Sequence, residues 1–328
     1  MSLDADLIVD RRRMRRKLTF WRVIAVFVAI AAVVGGGVMF ASNRGVIPGT
    51  AASGSIARIN IEGLIRGSRE RTEALERLAN SSAKAVIIHI NSPGGTVTGS
   101  EELHASLLRL KAKKPIVVVV DGLAASGGYI AAMASDRIIA QQSSIVGSIG
   151  VIFQYPNFTD LLKTIGVQVE SIKSTPLKAS PNGLEPTSPE ARAAIESLVK
   201  DSYAWFRDLV RDRRGLDQAA LDRVTDGRVY TGRQALELKL IDGLGDELAA
   251  VDWLSKEKGI DPKTPVRDYR LNPRFSDLPF LRTAVVGLLD AVGLSAFAEH
   301  FKDWGAVQAV ERLNLDGLVA LWHPSTAN

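Results

Sequence analysis

From residue 56 onward, short apolar runs alternate with stretches in which apolar residues recur every three or four positions. The runs are rich in Val and Ile and predict β-strands, whereas the 3.6-residue period predicts helices. The predicted strands are 57–61, 84–90, 115–120, 137–140 and 167–172, and the predicted helices are 68–80, 98–114, 158–166, 188–213, 231–239 and 245–258. Strands alternating with helices indicate an α/β fold with a mostly parallel sheet that is covered on both faces.

Two loops of small residues each follow a predicted strand and precede a predicted helix. They read NSPGGT at 91–96 and DGLAASGG at 121–128, and the second contains Ser126. In a parallel sheet such loops lie at the carboxyl ends of the strands, where open α/β sheets place their sites. We therefore expect the two loops to meet at one edge of the sheet.

The first 41 residues have the pattern of a membrane anchor. Residues 1–22 carry seven Lys/Arg against three Asp, and the nineteen residues 23–41 (VIAVFVAIAAVVGGGVMFA) contain no charge. That length is close to the roughly 20 residues that cross a bilayer. The positive-inside rule then predicts a single span in the inner membrane, with the tail in the cytoplasm and the main domain on the periplasmic side. A cleaved signal peptide is the alternative, but Met39 stands where a cleavage site favours a small residue.

The net charge of +5 does not indicate a nucleic-acid-binding protein, because four of the five charges belong to the 1–22 tail. A nucleic-acid groove needs basic surface on the folded domain. Residues 42–55 are small and polar and predict a linker. We expect the order tail (1–22), transmembrane anchor (23–41), linker (42–55), main domain (56–260) and C-terminal helical extension (261–328).

The C-terminal extension contains two apolar stretches, FLRTAVVGLLDAVGLSAF and LDGLVALW. Arg282 and Asp290 interrupt the first and argue against a second membrane span. Helical cover, an oligomer contact and a segment lying on the membrane surface remain as alternative interpretations.

The candidate chemistry narrows to a serine nucleophile. The chain has no Cys and four His, without an HExxH or HxxxH pair, so neither a thiolate nor a metal site is indicated. A serine nucleophile needs a base and backbone donors for the oxyanion. The amides of Gly94, Gly95 and Ser126 are candidate donors, because glycine leaves its N–H accessible and Ser126 precedes a predicted helix.

The residues considered so far do not identify the general base that would accept the serine proton. His89 and His104 lie in a predicted strand and helix and are interpreted as structural, and no GxSxG motif is present. A lysine can serve when burial favours its neutral form. Lys173 and Lys178 both lie in a Pro- and Ser-rich loop, and both remain candidates.

Five stretches resemble the signal peptide peptidase A family in its short, single-module form. They are INSPGGTVTGSEE, DGLAASGGYIAA, SSIVGSIGVI, the loop around Lys178 and RVYTGRQALELKLIDGLG, within about residues 56–260. The resemblance implies the fold shared by Clp protease and crotonase, and a membrane-anchored serine protease with a Ser-Lys dyad that degrades cleaved signal peptides. It implies no metal or cofactor, and a homo-oligomer in which neighbouring subunits can complete the dyad.

The resemblance also implies a role for each matching position. Ser126 in AASGG is implied as nucleophile and Lys178 in TPLKAS as general base. Ser148 in VGSIG is implied to orient the lysine, and Gly95 in SPGG to donate to the oxyanion together with the Ser126 amide. Gly94 and Gly127 are the supporting glycines of these two loops.

Two functions of other classes remain open. A non-catalytic membrane scaffold could use the same fold for assembly alone. A crotonase-like acyl-CoA enzyme could use the same glycine oxyanion hole, but the predicted topology places the domain away from cytoplasmic acyl-CoA.

Overall fold

The computed structural model describes residues 54–271 and 318–321. Their strands are β1 Ile56–Ile65, β2 Ala85–Thr96, β3 Ile116–Ala125, β4 Arg137–Ala140, β5 Ile145–Gly147, β6 Ile152–Phe153, β7 Val229–Thr231, β8 Gly243–Leu244, β9 Val266–Asp268 and β10 Leu318–Leu321. Their helices are α1 Arg69–Ala79, α2 Val97–Lys111, α3 Gly127–Ala132, α4 Thr159–Thr164, α5 Pro189–Arg214, α6 Gln218–Val224, α7 Gly232–Glu237 and α8 Glu247–Lys258.

The sheet is mostly parallel, as predicted. Strands β1, β2, β3 and β4 are parallel neighbours, and β5, β8 and β9 join them in parallel pairs. The antiparallel pairs are β5 with β7, and β10 with both β2 and β6. Helices α1, α2 and α3 link β1 to β2, β2 to β3 and β3 to β4, because a parallel pair needs a crossover connection.

Both faces of the central strands are buried, which explains their near-continuous Val and Ile runs. Along β2 and β3, alternate residues such as Ile88 and Val118 face a core that includes α1, α2 and α3. Their neighbours Ile87 and Val117 face a second core that is closed by Leu254 of α8.

Local sequence signals account for where the longer helices begin. The Ser68 side chain accepts a hydrogen bond from the Arg71 amide at the start of α1. Ser188 caps α5 in the same way, with Pro189 at the first helical position, where its missing N–H costs nothing. Helix α5 ends at Gly215, which adopts the left-handed conformation typical of helix ends.

Two sequence predictions are corrected. The strand predicted at 167–172 is absent: these residues form no ladder, and Ile172 is fully exposed, because no neighbouring strand is there to pair with them. The extension 261–328 is not purely helical, since β9 pairs with β1 and β10 pairs with β2 and β6. The sheet therefore continues beyond the predicted domain end at 260.

The predicted tail, anchor and most of the linker lie outside the described residues, as does most of the C-terminal extension. Within the described ranges, no helix has the length and apolar character that a membrane span requires.

Candidate active site

Ser126 lies between the end of β3 and the start of α3, in a backbone conformation that residues with a side chain rarely adopt. Its backbone angles are φ 53° and ψ −114°, and only 1% of the residue is exposed. Non-glycine residues in such regions cost about 1–3 kcal/mol each, and they cluster at functional sites. The strain indicates that the surrounding fold holds Ser126 in a backbone conformation that a serine does not favour by itself.

Ser148 lies directly beside Ser126. The β3–β5 ladder ends on the pair Ala125 and Gly147, so the two serines are the next residues on their strands. Ser148 also has φ 53°, and its amide donates to the carbonyl of Arg228 at 2.8 Å. Its hydroxyl has no hydrogen-bond partner among residues 54–271 and 318–321, which leaves it available to a group arriving from outside.

The glycine loop of β2 reaches the same edge, as predicted. The last β2–β3 pair joins Ser92 to Ala124, two residues before Ser126. A Cβ on Gly128 would lie 2.7 Å from the Ser92 carbonyl oxygen, so the start of α3 packs directly on this loop. A Cβ on Gly95 would lie 1.8 Å from the Ile65 carbonyl oxygen, so only glycine fits at that position.

The backbone donors differ from the sequence expectation. The Ser126 amide donates to the Gly147 carbonyl at 2.8 Å, so it is already engaged in a backbone hydrogen bond. The Gly94 amide donates to the Ser92 hydroxyl at 3.1 Å and holds the loop closed. Gly127 is the first residue of α3 and has no acceptor within that helix. Among these amides, that of Gly127 has no hydrogen-bond acceptor in the described residues.

No lysine contacts the Ser126 hydroxyl in the described part of the chain. Its one hydrogen-bond contact there is the Gly150 carbonyl, at 3.5 Å. Lys173, one of the two candidate bases, is held by Glu185 in an ion pair of 2.6 Å. Lys178 is exposed, and its ammonium group forms no hydrogen bond or ion pair with any described residue.

The two histidines among the described residues, His89 and His104, have surroundings that are typical of structural residues. His89 lies between Asp121 and Glu247, with one ring nitrogen 2.9 Å and the other 2.8 Å from a carboxylate oxygen. His104 is buried, and desolvation, reinforced by two nearby cations, lowers its pKa to about 4. Neither ring contacts Ser126, which agrees with their interpretation as structural residues.

Residues 155–187 form a segment with many exposed apolar side chains, which we call the Lys178 segment. Eight of its large apolar residues are at least 39% exposed: Phe158, Leu161, Ile165, Val167, Val169, Ile172, Leu177 and Leu184. Soluble surfaces rarely carry so dense an apolar patch unless another molecule covers it. A cavity of about 330 Å³ lies where this segment meets β6 and the first turns of α5, and Ile152, Phe153, Ile195 and Val199 line it.

Sequence reasoning missed three positions that shape the site. Ser92 orders the glycine loop through its hydroxyl, Gly147 accepts from the Ser126 amide, and Gly150 accepts from the Ser126 hydroxyl. The VGSIG stretch contained part of the signal, because Gly147 permits the positive φ angle seen at its own position, whereas the positive φ of Ser148 has no counterpart in the sequence pattern.

Comparison with known proteins shows that the chain is similar to peptidases. The family model described as Peptidase family S49 matches residues 109–261, and the Clp protease model matches residues 68–147. A putative protease of Synechocystis is 37% identical over 215 residues, covering 65% of this chain and 78% of that protein. A putative protease of Methanocaldococcus jannaschii is 34% identical over 177 residues, covering 54% of this chain and 57% of that protein.

A protein of Enterococcus faecium named putative signal peptide peptidase SppA is 35% identical over 188 residues, covering 57% of this chain and 55% of that protein. The chain thus spans most of the Synechocystis protein but little more than half of the other two. The mostly parallel α/β sheet is consistent with the Clp protease-like fold that the second family model indicates.

Proposed function

The chain belongs to peptidase family S49, and from that premise we propose that it is a serine endopeptidase with Ser126 as nucleophile and Lys178 as general base. The observation that carries the proposal is the strained Ser126 next to the Gly127 amide, which is unpaired in the described residues, and to the glycine loop that contains Gly95; we propose these two glycine amides as the oxyanion donors. Ser126 is held at φ 53° and ψ −114° directly before the first residue of α3, and this position supports its proposed role as nucleophile.

The reaction then follows from the positions of these groups. Lys178, in its neutral form, takes the proton from the Ser126 hydroxyl, and the oxygen attacks the carbonyl carbon of the scissile peptide bond. The amides of Gly95 and Gly127 stabilise the oxyanion. The protonated lysine then gives its proton to the leaving amine, and a water activated by the same lysine hydrolyses the acyl-enzyme.

We propose that Lys178 reaches the Ser126 of a neighbouring subunit. Within the described chain Ser126 contacts no lysine, and Lys178 has no partner. The Lys178 segment carries the exposed apolar surface that a second copy would cover. Burial at such an interface favours the neutral lysine that a base requires, and the unpartnered Ser148 hydroxyl is placed to orient it.

Lys173 is the weaker candidate. Its ammonium group is held by Glu185 at 2.6 Å, whereas that of Lys178 has no partner in the described residues. The two lysines are five positions apart, so the choice between them rests on this contact and on the resemblance of TPLKAS to the family motif.

The proposed substrates are signal peptides left in the membrane after they are cleaved from preproteins. Two features support this proposal: a relative is named putative signal peptide peptidase SppA, and residues 23–41 have the length and composition of a membrane anchor. The proposed location is the inner membrane, with the catalytic domain on the periplasmic side.

Three single variants test the proposal: Ser126→Ala, Lys178→Ala and Lys173→Ala, assayed on a fluorogenic peptide with small and apolar residues. We expect the first two to lose activity by at least about 10³-fold, whereas Lys173→Ala, the matched control, stays within a few-fold of the parent. Activity in the Ser126 or Lys178 variant would refute the dyad. Loss in the Lys173 variant alone would reassign the base.

A further inference from the structure

Strand β3 changes its neighbour just before it reaches Ser126. Its residues Val117–Val120 pair with β4, and its residues Leu123–Ala125 pair with β5. Asp121 and Gly122 stand between the two ladders, and Ser126 directly follows the second one. The position of Ser126 therefore depends on how the chain passes from one ladder to the other.

The other edge of β3 contains a bulge at the same place. Val120 stands opposite Ile90 of β2, and Ala124 stands opposite Ser92. Residues 121–123 of β3 thus stand against a single residue of β2, and we call them the β3 bulge. Bulges bend a strand and re-aim the side chains that follow, and they are common next to active sites.

The side chains of Ser144 and His89 hold the β3 bulge. The Ser144 hydroxyl, just before β5, donates to the carbonyls of Val120 and Asp121 at 2.9 and 3.1 Å. The imidazole of His89, on β2, contacts the Asp121 carboxylate, with Nδ1 2.9 Å from Oδ1 and 3.0 Å from Oδ2. The hydroxyl thus fixes the backbone of the bulge, and the imidazole fixes its first side chain.

The other ring nitrogen of His89 contacts an ion-pair network. Its Nε2 lies 2.8 Å from a carboxylate oxygen of Glu247, the first residue of α8. The Arg58 guanidinium, on β1, donates to both oxygens of Glu247 at 2.6 Å and to Asp268 at 2.7 Å. The hydrogen bond from Arg58 is the main cause that lowers the pKa of Glu247, so this carboxylate stays ionised. The charged groups around His89 are therefore Asp121 and Glu247, with Arg58 and Asp268 behind them.

The two contacts of the imidazole together require one extra proton. A carboxylate only accepts hydrogen bonds, so each ring nitrogen must carry a hydrogen to bond its carboxylate. A neutral imidazole has one N–H, and its other nitrogen would turn a lone pair towards the second carboxylate. Loss of the proton should release Asp121 rather than Glu247, because the Asp121 side chain is 44% exposed, whereas that of Glu247 is 25% exposed and also bound to Arg58.

We propose that protonated His89 is a positioning residue for Ser126, because it holds Asp121 and with it the β3 bulge. His89 does not touch the nucleophile and acts through the five positions from Asp121 to Ser126. The inference rests on the proposed function in taking Ser126 as the nucleophile. A rise in pH then has two opposite effects: it favours the neutral lysine that serves as base, and it loosens the segment that carries the serine.

Asp121→Asn is the variant that separates the proton from the packing. The asparagine amide can donate to Nδ1 while the Nε2–H bonds Glu247, so a neutral imidazole satisfies both neighbours. Asp268→Asn is the matched control, because it removes the same charge from the network at a carboxylate that contacts Arg58 and not His89. Full-length chains are assayed on the fluorogenic peptide from about pH 5.5 to about pH 8.5. Each value of kcat/KM is divided by that of the parent at the same pH, so the titration of the lysine cancels.

We expect the ratio for Asp121→Asn to rise about threefold across this range, and the ratio for Asp268→Asn to stay flat. The change should lie in kcat, with KM within about twofold, because placement of the nucleophile acts on the chemical step. His89→Gln, which has no positive charge, should lower kcat about threefold at the acidic end and little at the alkaline end. Equal ratios for the two asparagine variants, or a His89→Gln effect that is the same at every pH, would overturn the proposal.

Hydrogen exchange of the 120–128 peptide gives a second readout that does not need activity. At the alkaline end this peptide should exchange faster in the parent than in Asp121→Asn, and at the acidic end the two should exchange alike. Identical exchange at both ends would also count against the proposal. An exchange difference without peptide hydrolysis by any chain retains the role of His89 and rejects the peptidase, and hydrolysis without either difference does the reverse.

Discussion

Replacing Ser126 by glycine should stabilise the protein while it abolishes activity. At φ 53° and ψ −114° a residue with a Cβ is strained, and glycine is not. Relief of that strain contributes about 1–3 kcal/mol. The greater conformational freedom of glycine in the unfolded chain offsets about 0.4–1 kcal/mol of this gain. The net expected gain is about 1 kcal/mol.

The matched reference is Ser126→Ala, which removes the same hydroxyl but keeps the Cβ and therefore the strain. Loss of the hydroxyl itself matters little to stability, because its one contact is a long 3.5 Å hydrogen bond. The difference between the glycine and alanine variants isolates the backbone contribution.

Thermal unfolding at fixed protein concentration measures this difference. For a domain of about 200 residues, 1 kcal/mol corresponds to a Tm shift of about 2–4 °C. We expect Ser126→Gly to melt higher than Ser126→Ala by that amount, with both variants inactive. A glycine variant that melts at or below the alanine variant would refute the argument that the fold holds Ser126 under strain.

Three further predictions concern the surroundings of the site. Gly95→Ala would place its Cβ 1.8 Å from a carbonyl oxygen of β1. We expect this variant to lose about 1–3 kcal/mol of unfolding free energy, measured by thermal unfolding, and at least about 10²-fold in kcat. Gly150→Ala is the control, because its Cβ would meet its nearest atom at 3.7 Å, and its stability should change by less than about 0.5 kcal/mol. His104 has a folded-state pKa of about 4 against an ordinary 6.5, so the unfolded chain binds more protons between these values and stability falls as the pH drops from about 6.5 to 4. His104→Leu should flatten that part of the Tm–pH curve. An unchanged curve would show that burial of His104 does not cause the loss of stability. Glu247→Gln breaks the half-buried ion pair of 2.6 Å with Arg58 and should lower the unfolding free energy by about 1–2 kcal/mol. Asp268→Asn breaks the other ion pair of Arg58, at a carboxylate that is 67% exposed, and should lower it by under about 0.5 kcal/mol. Equal losses in the two variants would contradict the argument from burial.

The sequence predicted those parts of the fold in which local pattern and tertiary context agree. The Val and Ile runs became the central strands, and the helices predicted to begin at 68 and 188 do so, with Ser68 and Ser188 as their caps. The prediction that both glycine loops meet at one edge followed from strand direction alone, and the pairing of Ser92 with Ala124 confirms it.

The parts that could not be predicted depend on long-range partners. A sequence does not reveal which acceptor an amide meets, so the Ser126 amide was expected at the oxyanion although it is bound to Gly147. The 167–172 stretch has a strand pattern but no neighbour to pair with, and 318–321 is a strand only because β2 and β6 leave a slot for it.

The proposal of a shared dyad is tested most directly by co-expressing two inactive chains, Ser126→Ala and Lys178→Ala, with different tags, and by purifying complexes that contain both. If Lys178 serves the Ser126 of a neighbour, an intact serine and an intact lysine meet at some interfaces. In a randomly mixed ring, about a quarter of the sites are then complete. We predict that the mixed complex recovers about a quarter of the wild-type peptidase activity. A mixed complex as inactive as either variant alone would contradict a dyad shared between subunits.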